Sequence, residues 1–137
     1  MHWNRLTRTH CMYADTDFFI ALVKDGDWLN KNAVKIYGKY KNSIWTSTVT
    51  LQELLIIAYR ESRDPTAAIN LAHSFADIRD TMLGINELMQ AAEIMQKYKT
   101  TPFDALHAVL CGDDTIISSD KIFDEIGLKR IKLEEHL

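Results

Sequence analysis

The sequence predicts an α/β fold, a mostly parallel sheet with helices on both faces. Three observations carry that reading. Short apolar runs of strand length alternate with segments of helical period. Pro65 and Pro102 each follow a residue able to cap a helix, so each marks a helix start. With only five glycines and two prolines in 137 residues, the connections should be short.

Taken in order, residues 11–14 read as a strand that ends at Asp15. Thr16–Val23 reads as a short helix. Residues 27–41 are helical, with Leu29, Ala33, Ile36, Tyr37 and Tyr40 on one face and lysines opposite. A second strand is expected over residues 43–46. Thr48–Arg60 follows as a helix with Leu51, Leu54, Leu55 and Ala58 in one stripe. Asp64 caps a helix that starts at Pro65 and is expected to run to about residue 80. Residues 81–85 read as the third strand, and Asn86 as the cap of a helix reaching about residue 98. Thr101, Pro102 and Asp104 form the next start signal, with a capping hydroxyl, proline at the first position and an acid three residues after the cap. Thr115–Ser118 is the fourth strand, residues 121–126 a short helix, and residues 130–133 a fifth strand. No repeat or linker interrupts this order.

Composition bounds the rest. At 137 residues the chain is sized for one domain with a real core. Its 47% hydrophobic and 26% charged residues exclude a disordered or collagen-like chain. No apolar run exceeds six residues, as in Leu54 to Tyr59, so no membrane span is expected. Residues 1–11 show no apolar period and no signal-peptide pattern; they read as an N-terminal extension, a start placed upstream of a domain covering 12–137. Cys11 and Cys111 have neither metal-type spacing nor a disulfide framework. They read as small buried residues of a cytoplasmic protein. Sixteen basic against nineteen acidic residues, formally −3, exclude a surface that is basic throughout but leave room for nucleic acid at a local basic patch.

Four acids stand where packing alone would not put them. Asp15 ends the first strand, Glu53 sits in an apolar helix segment, Asp104 lies in a first helical turn, and Asp120 follows the fourth strand. Singly, each has an ordinary explanation. Asp15 and Asp120 can cap the helices after them, Asp104 suits a helix N-terminus, and Glu53 can lie at the edge of its stripe. Together they differ, because ends of parallel strands and starts of the following helices share one sheet edge, where α/β ligands bind. Four carboxylates gathered there would raise one another's pKa unless a cation joined them. Oxygen ligands without a His or Cys cluster point to Mg²⁺ or Mn²⁺.

These segments resemble the motifs of the PIN domain family, most closely the small VapC-type toxin ribonucleases. The run from Met12 through Asp15, Thr16 and Asp17 to Phe19 resembles the first motif. Residues 48–55, with Glu53, resemble the second. Asp104 with Ala105, Leu106, His107 and Ala108 resembles the third, and Ser118, Ser119, Asp120 and Phe123 the fourth. The resemblance spans residues 12 to about 133. It implies a three-layer α/β/α sandwich and a Mg²⁺- or Mn²⁺-dependent endoribonuclease cutting single-stranded or structured RNA. It also implies a homodimer and, for a toxin, a small antitoxin partner that would block the acidic site, for instance with an arginine. Asp15, Glu53, Asp104 and Asp120 would be the catalytic, metal-binding acids, with Ser118, Thr16, Asp17 and Asp124 as accessory residues. Two departures stand out. Ile122 replaces an acid found in many relatives, which would weaken a second metal site, and Asp17 stands where Asn or Ser is common.

Other residues read less specifically. Lys24, Lys121 and Arg60 lie near the motifs and are candidates for RNA phosphates, or simply for a solvated face. Trp28, Trp45 and Tyr13 could stack on bases, although core or dimer packing is the simpler role. His107 reads as a helix-packing histidine rather than a general base. The alternatives are a PIN-like module that binds RNA or protein without cutting, a housekeeping RNA-processing nuclease, and a phosphatase of the haloacid dehalogenase type. The last shares an Asp-x-Asp start but has no place for Glu53 or Asp104.

Overall fold

A computed structural model describes residues 11–24 and 26–135. The expectation of an N-terminal extension falls mainly on residues 1–10, outside the described residues. At the centre lies β1 (Met12–Ala14), paired in parallel with β2 (Ile44–Ser47) on one side and β4 (Thr115–Ser118) on the other. β3 (Asp77–Arg79) adds beyond β2, and β5 (Arg130–Lys132) beyond β4. The five-stranded sheet therefore runs β3-β2-β1-β4-β5, with every pair parallel. Among the described residues, seven helices connect the strands: α1 (Thr16–Val23), α2 (Asn30–Tyr40), α3 (Thr48–Arg60), α4 (Pro65–Phe75), α5 (Ile85–Tyr98), α6 (Pro102–Cys111) and α7 (Ile122–Ile126).

All three residues of β1 are buried, as a parallel strand covered on both faces requires. Its alternating side chains feed two cores. Met12 and Ala14 join Phe18 and Phe19 of α1, Ala33 and Ile36 of α2, and Ala72 of α4. Tyr13, from the opposite face, joins Ala108 and Cys111 of α6 and Phe123 of α7, with Ile94 of α5 against them. The expected α/β/α layering follows from this partition. Phe18 and Phe19 are fully buried, each worth roughly 1.5–3 kcal/mol of apolar burial.

The helix starts obey local chemistry. Asp64 caps α4 by accepting from the Thr66 and Ala67 amides, and Thr101 Oγ1 accepts from the Asp104 amide at the head of α6. Four boundaries differ from expectation by two residues or more. The third strand is Asp77–Arg79, not residues 81–85, and α4 stops at Phe75 rather than near residue 80. β3 is an edge strand of three residues with one apolar member, Ile78, so alternation could not reveal it. The more apolar segment after it lies in a loop, with Met82 exposed. Gly84, not Asn86, heads α5, because the Glu87 carboxylate turns back to accept the Gly84 amide at 2.8 Å. Helix α2 begins at Asn30, three residues later than its period suggested. Cys111 is buried as expected, but Cys11 is only half-buried; both are free thiols. Among the described residues no helix is long and apolar enough to cross a membrane.

Chain order reverses on the two sides of β1: β2 lies to one side and β4 to the other. A crevice is expected where the two crossovers diverge, beyond the carboxyl ends of β1 and β4. Asp15 follows the first of these ends directly, and Ser119 and Asp120 follow the second.

Candidate functional site

At that crevice the structure opens a cleft lined by Asp15, Thr16, Asp17, Glu53, Asp104 and Asp120, with Ser119 and Lys121 also on its wall. Sequence positions more than a hundred residues apart meet here because two strands end, and two helices pass or begin, on the same edge. β1 delivers Asp15, whose amide is held by the Ile117 carbonyl of β4 at 3.0 Å. The chain after β4 delivers Asp120, α3 carries Glu53 in its interior, and α6 presents Asp104 in its first turn.

Hydroxyls and amides fix these carboxylates. Asp15 Oδ1 accepts from the Thr16 amide at 2.7 Å, which is the helix-capping bond expected of it. Its Oδ2 accepts from Ser118 Oγ at 2.7 Å, and Ser118 Oγ in turn accepts from the Asp120 amide at 3.0 Å. Asp120 Oδ1 accepts from the Ile122 amide at 3.0 Å, capping α7. Asp17 Oδ2 accepts from both the amide and the hydroxyl of Ser119. Thr16 Oγ1 donates to Glu53 Oε1. Capping and gathering are therefore both true of Asp15 and Asp120.

His107 sits inside this group. It is fully buried, its Nε2 lying 2.9 Å from Glu53 Oε1 and 3.4 Å from Asp15 Oδ1. Its Nδ1 lies 2.7 Å from Tyr13 Oη. The sequence reading of a helix-packing histidine is thus corrected: the side chain is packed, but against carboxylates. The available signal was its spacing, three residues after Asp104 and so on nearly the same helical face. Ser47, which hydrogen-bonds Tyr13 Oη at 2.7 Å, carried no signal in the sequence.

The charges are poorly compensated. Burial, reinforced by the charges of Asp17 and Glu53 and only partly opposed by His107, pushes the Asp15 carboxyl up to about 7. Burial and the charge of Asp120 raise Asp104 to about 6. Asp17 is raised as well, chiefly by burial. Glu53 moves the other way: burial would raise it, but hydrogen bonds from His107 and Thr16 hold it below its ordinary value. Burial would lower the His107 pKa, yet the Glu53 hydrogen bond and the charges of Asp15, Glu53 and Asp104 raise it.

The other predicted residues are placed as follows. Ser118 and Thr16 bond the acids directly. Asp124 is not brought into the cleft; it is exposed and faces Arg130, with contacts of 2.9 and 3.1 Å. That guanidinium lowers its pKa by hydrogen bonding. Ile122 packs against the core around Phe123. Lys121 borders the cleft, whereas Lys24 borders a neighbouring apolar groove. Tyr13 and Trp45 are buried and stack edge to face with ring centroids 4.8 Å apart, so both are core residues, while Trp28 is exposed.

The donors fit a hard divalent cation. They are mostly carboxylate oxygens, three of the acids are raised as though a positive charge were missing, and Asp17 Oδ1 is buried with no hydrogen-bond partner. Ligand atoms of Asp15, Glu53 and His107 lie within 4.8 Å of one another. Asp15, Glu53, Asp104 and Asp120 would hold such an ion, with Asp17 beside them.

Comparisons with known proteins bear on the family and the fold. A search among curated proteins finds no match. Among solved structures, the chain is similar to VapC20 of Mycobacterium tuberculosis, described as a Sarcin-Ricin loop cleaving toxin (TM-score 0.72, 19% identity, covering 88% of this chain and 98% of that one). It is also similar to VapBC2 from Rickettsia felis, bound to a DNA fragment from its promoter (TM-score 0.65, 14% identity, 89% and 98% covered). A third similar structure is a toxin–antitoxin complex from Klebsiella pneumoniae (TM-score 0.66, 15% identity, 92% and 99% covered). These likenesses concern the fold. The sequence itself matches the PIN domain family model over residues 12–129, nearly the whole described chain, and the protein belongs to the PIN domain family.

Proposed function

We propose that the chain is a Mg²⁺- or Mn²⁺-dependent endoribonuclease that hydrolyses RNA phosphodiesters, and the toxin of a toxin–antitoxin pair. One observation carries the reading: Asp15, Glu53, Asp104 and Asp120, from four separate segments, line one cleft at the carboxyl edge of the sheet. Membership of the PIN domain family supports the nuclease class. The likeness to toxins and toxin–antitoxin complexes supports the biological role.

A divalent ion held by these acids would polarise a phosphoryl oxygen and lower the pKa of a water that attacks phosphorus. The chain's own residues set the stage. Ser118 and the Thr16 amide fix both oxygens of Asp15, while Thr16 Oγ1 and His107 fix one oxygen of Glu53. Lys121 at the rim offers a cation to an RNA phosphate.

The partner reading has its own support. An apolar groove of about 390 Å³ adjoins the cleft, sharing Ile20 and Ile57 with it and extending over Phe19, Leu54, Ala68 and Leu71. An antitoxin segment with apolar side chains in this groove and an arginine reaching the acids would block the site. We expect the toxin to act in the cytoplasm as a homodimer.

The direct test is cleavage of a labelled RNA oligonucleotide with and without Mg²⁺, by the wild type and by Asp104→Asn. Mg²⁺-dependent cleavage that the variant loses, with its circular dichroism unchanged, supports the reading. Equal cleavage by both proteins, or none by the wild type with either Mg²⁺ or Mn²⁺, defeats it.

A further inference from the structure

The grouping of His107 Nε2 with Asp15 and Glu53 oxygens has the spacing of a mixed nitrogen–oxygen metal site. The hydrogen-bond accounting points elsewhere. We infer that His107 is a positioning residue and not a metal ligand: its Nε2–H locks Glu53 by Oε1, Tyr13 sets the imidazole ring, and only Oε2 of Glu53 is left to meet a cation. This rests on the nuclease reading above and deepens it.

The direction of each bond follows from its neighbours. A carboxylate oxygen offers only lone pairs, so His107 Nε2, 2.9 Å from Glu53 Oε1, must carry the hydrogen. A nitrogen that carries hydrogen has no lone pair for a metal. Glu53 Oε1 also accepts from Thr16 Oγ1, which fills its second acceptor direction. Across the ring, Nδ1 lies 2.7 Å from Tyr13 Oη. Where the imidazole is neutral, Nδ1 accepts from Tyr13, which accepts from Ser47, also at 2.7 Å; where it is protonated, Nδ1 donates to Tyr13 Oη instead, and Nε2 donates to Glu53 in both forms. In either form Tyr13 and Ser47 hold the ring, and the Nε2 hydrogen points at Glu53.

Tyr13, Ser47 and His107 are all fully buried, so no bulk water can replace a missing link. The Tyr13 ring is pinned edge to face on Trp45 and tilted against the His107 ring, with centroids 5.6 Å apart. Histidines that ligate metals use their second nitrogen to fix the ring. Here the same device aims the ring at a carboxylate instead.

The test uses the full chain labelled with ¹⁵N, free and loaded with Mg²⁺, and pulsed EPR of its Mn²⁺ complex. Long-range ¹⁵N–¹H spectra should show a protonated His107 Nε2 with and without Mg²⁺, and Mn²⁺ should show no directly bound histidine nitrogen. By calorimetry, Tyr13→Phe and His107→Ala should each weaken Mn²⁺ binding about 10–100-fold. His107→Gln, whose amide keeps a donor, should recover part of that loss. A merely structural role would not produce this rescue or fix the tautomer. An unprotonated Nε2, or ¹⁵N hyperfine coupling from a bound imidazole, overturns the inference, as does unchanged Mn²⁺ affinity in His107→Ala. Should His107→Ala fail to fold, Tyr13→Phe and the wild-type spectra decide it. Absence of Mn²⁺ binding by the wild type defeats the nuclease reading instead, and the metal-free spectrum still tells whether Nε2 donates to Glu53.

Discussion

Replacing Asp15 by asparagine should stabilise the metal-free protein while abolishing cleavage. Asp15 is buried, and its carboxyl is pushed from 3.8 to about 7, first by burial and then by Asp17 and Glu53, against the pull of His107. The folded pKa therefore lies above the unfolded one. The folded state holds the proton more tightly, so stability is complete below about pH 4 and is lost as pH rises through about 7. A shift of about three units, at about 1.4 kcal/mol each, makes ionised Asp15 cost on the order of 4 kcal/mol at pH 8. Asparagine carries no charge. Its oxygen can still accept from the Thr16 amide, while its NH₂ must face Ser118 Oγ, a compromised bond worth about 1 kcal/mol. The net gain is about 2–3 kcal/mol, or a rise in Tm of roughly 6–12 °C for a chain of this size. Thermal unfolding in EDTA at pH 8, followed by circular dichroism, measures it. The gain should shrink by more than half at pH 5. A variant less stable than the wild type at pH 8, or a gain indifferent to pH, would refute the reasoning.

Other consequences follow from the same contacts. Asp104, like Asp15, has a raised carboxyl, and His107 also binds its proton more tightly in the fold, so metal-free wild type should be more stable at pH 5.5 than at pH 8. Mg²⁺ or Mn²⁺ should accordingly raise Tm more at pH 8 than at pH 5.5; scanning calorimetry with equal metal shows whether the order is reversed. Asp124→Ala should leave RNA cleavage at the wild-type rate and cost about 1 kcal/mol or less in a urea titration, since its half-exposed carboxylate pairs with Arg130, which keeps Glu134 as a second partner. A large loss of cleavage would put Asp124 back among the functional acids. Phe18→Ala should cost about 3–5 kcal/mol by the same titration, because the ring is fully buried between β1 and the helices beside it. A loss under 1 kcal/mol would mean that the core is not packed as described.

Much of this was legible before any coordinates, and the reasons are local. Helix starts announce themselves through bonds between near neighbours: Asp64 with Thr66, and Thr101 with Asp104. Strand ends and helix starts share an edge in any parallel sheet, so Asp15, Asp104 and Asp120 could be grouped from the element order alone. What escaped depends on contacts between distant segments. β3 is held by pairing with Trp45, Thr46 and Ser47, and its own three residues carry no pattern. His107 looks like one more residue in an apolar helix until Tyr13 and Glu53 are seen on its two nitrogens. Asp124 was an expected accessory residue only through the resemblance of the fourth motif. Arg130, twelve residues after Ser118 and bonded to its carbonyl, draws it toward β5 instead.

The most direct check on the metal centre is the anomalous difference map of a crystal soaked in Mn²⁺. A peak among the carboxylates of Asp15, Asp104 and Asp120, absent from Asp15→Asn crystals treated alike, is the expected result. A map with no peak in the cleft at saturating Mn²⁺, or with manganese bound only elsewhere, would contradict the account.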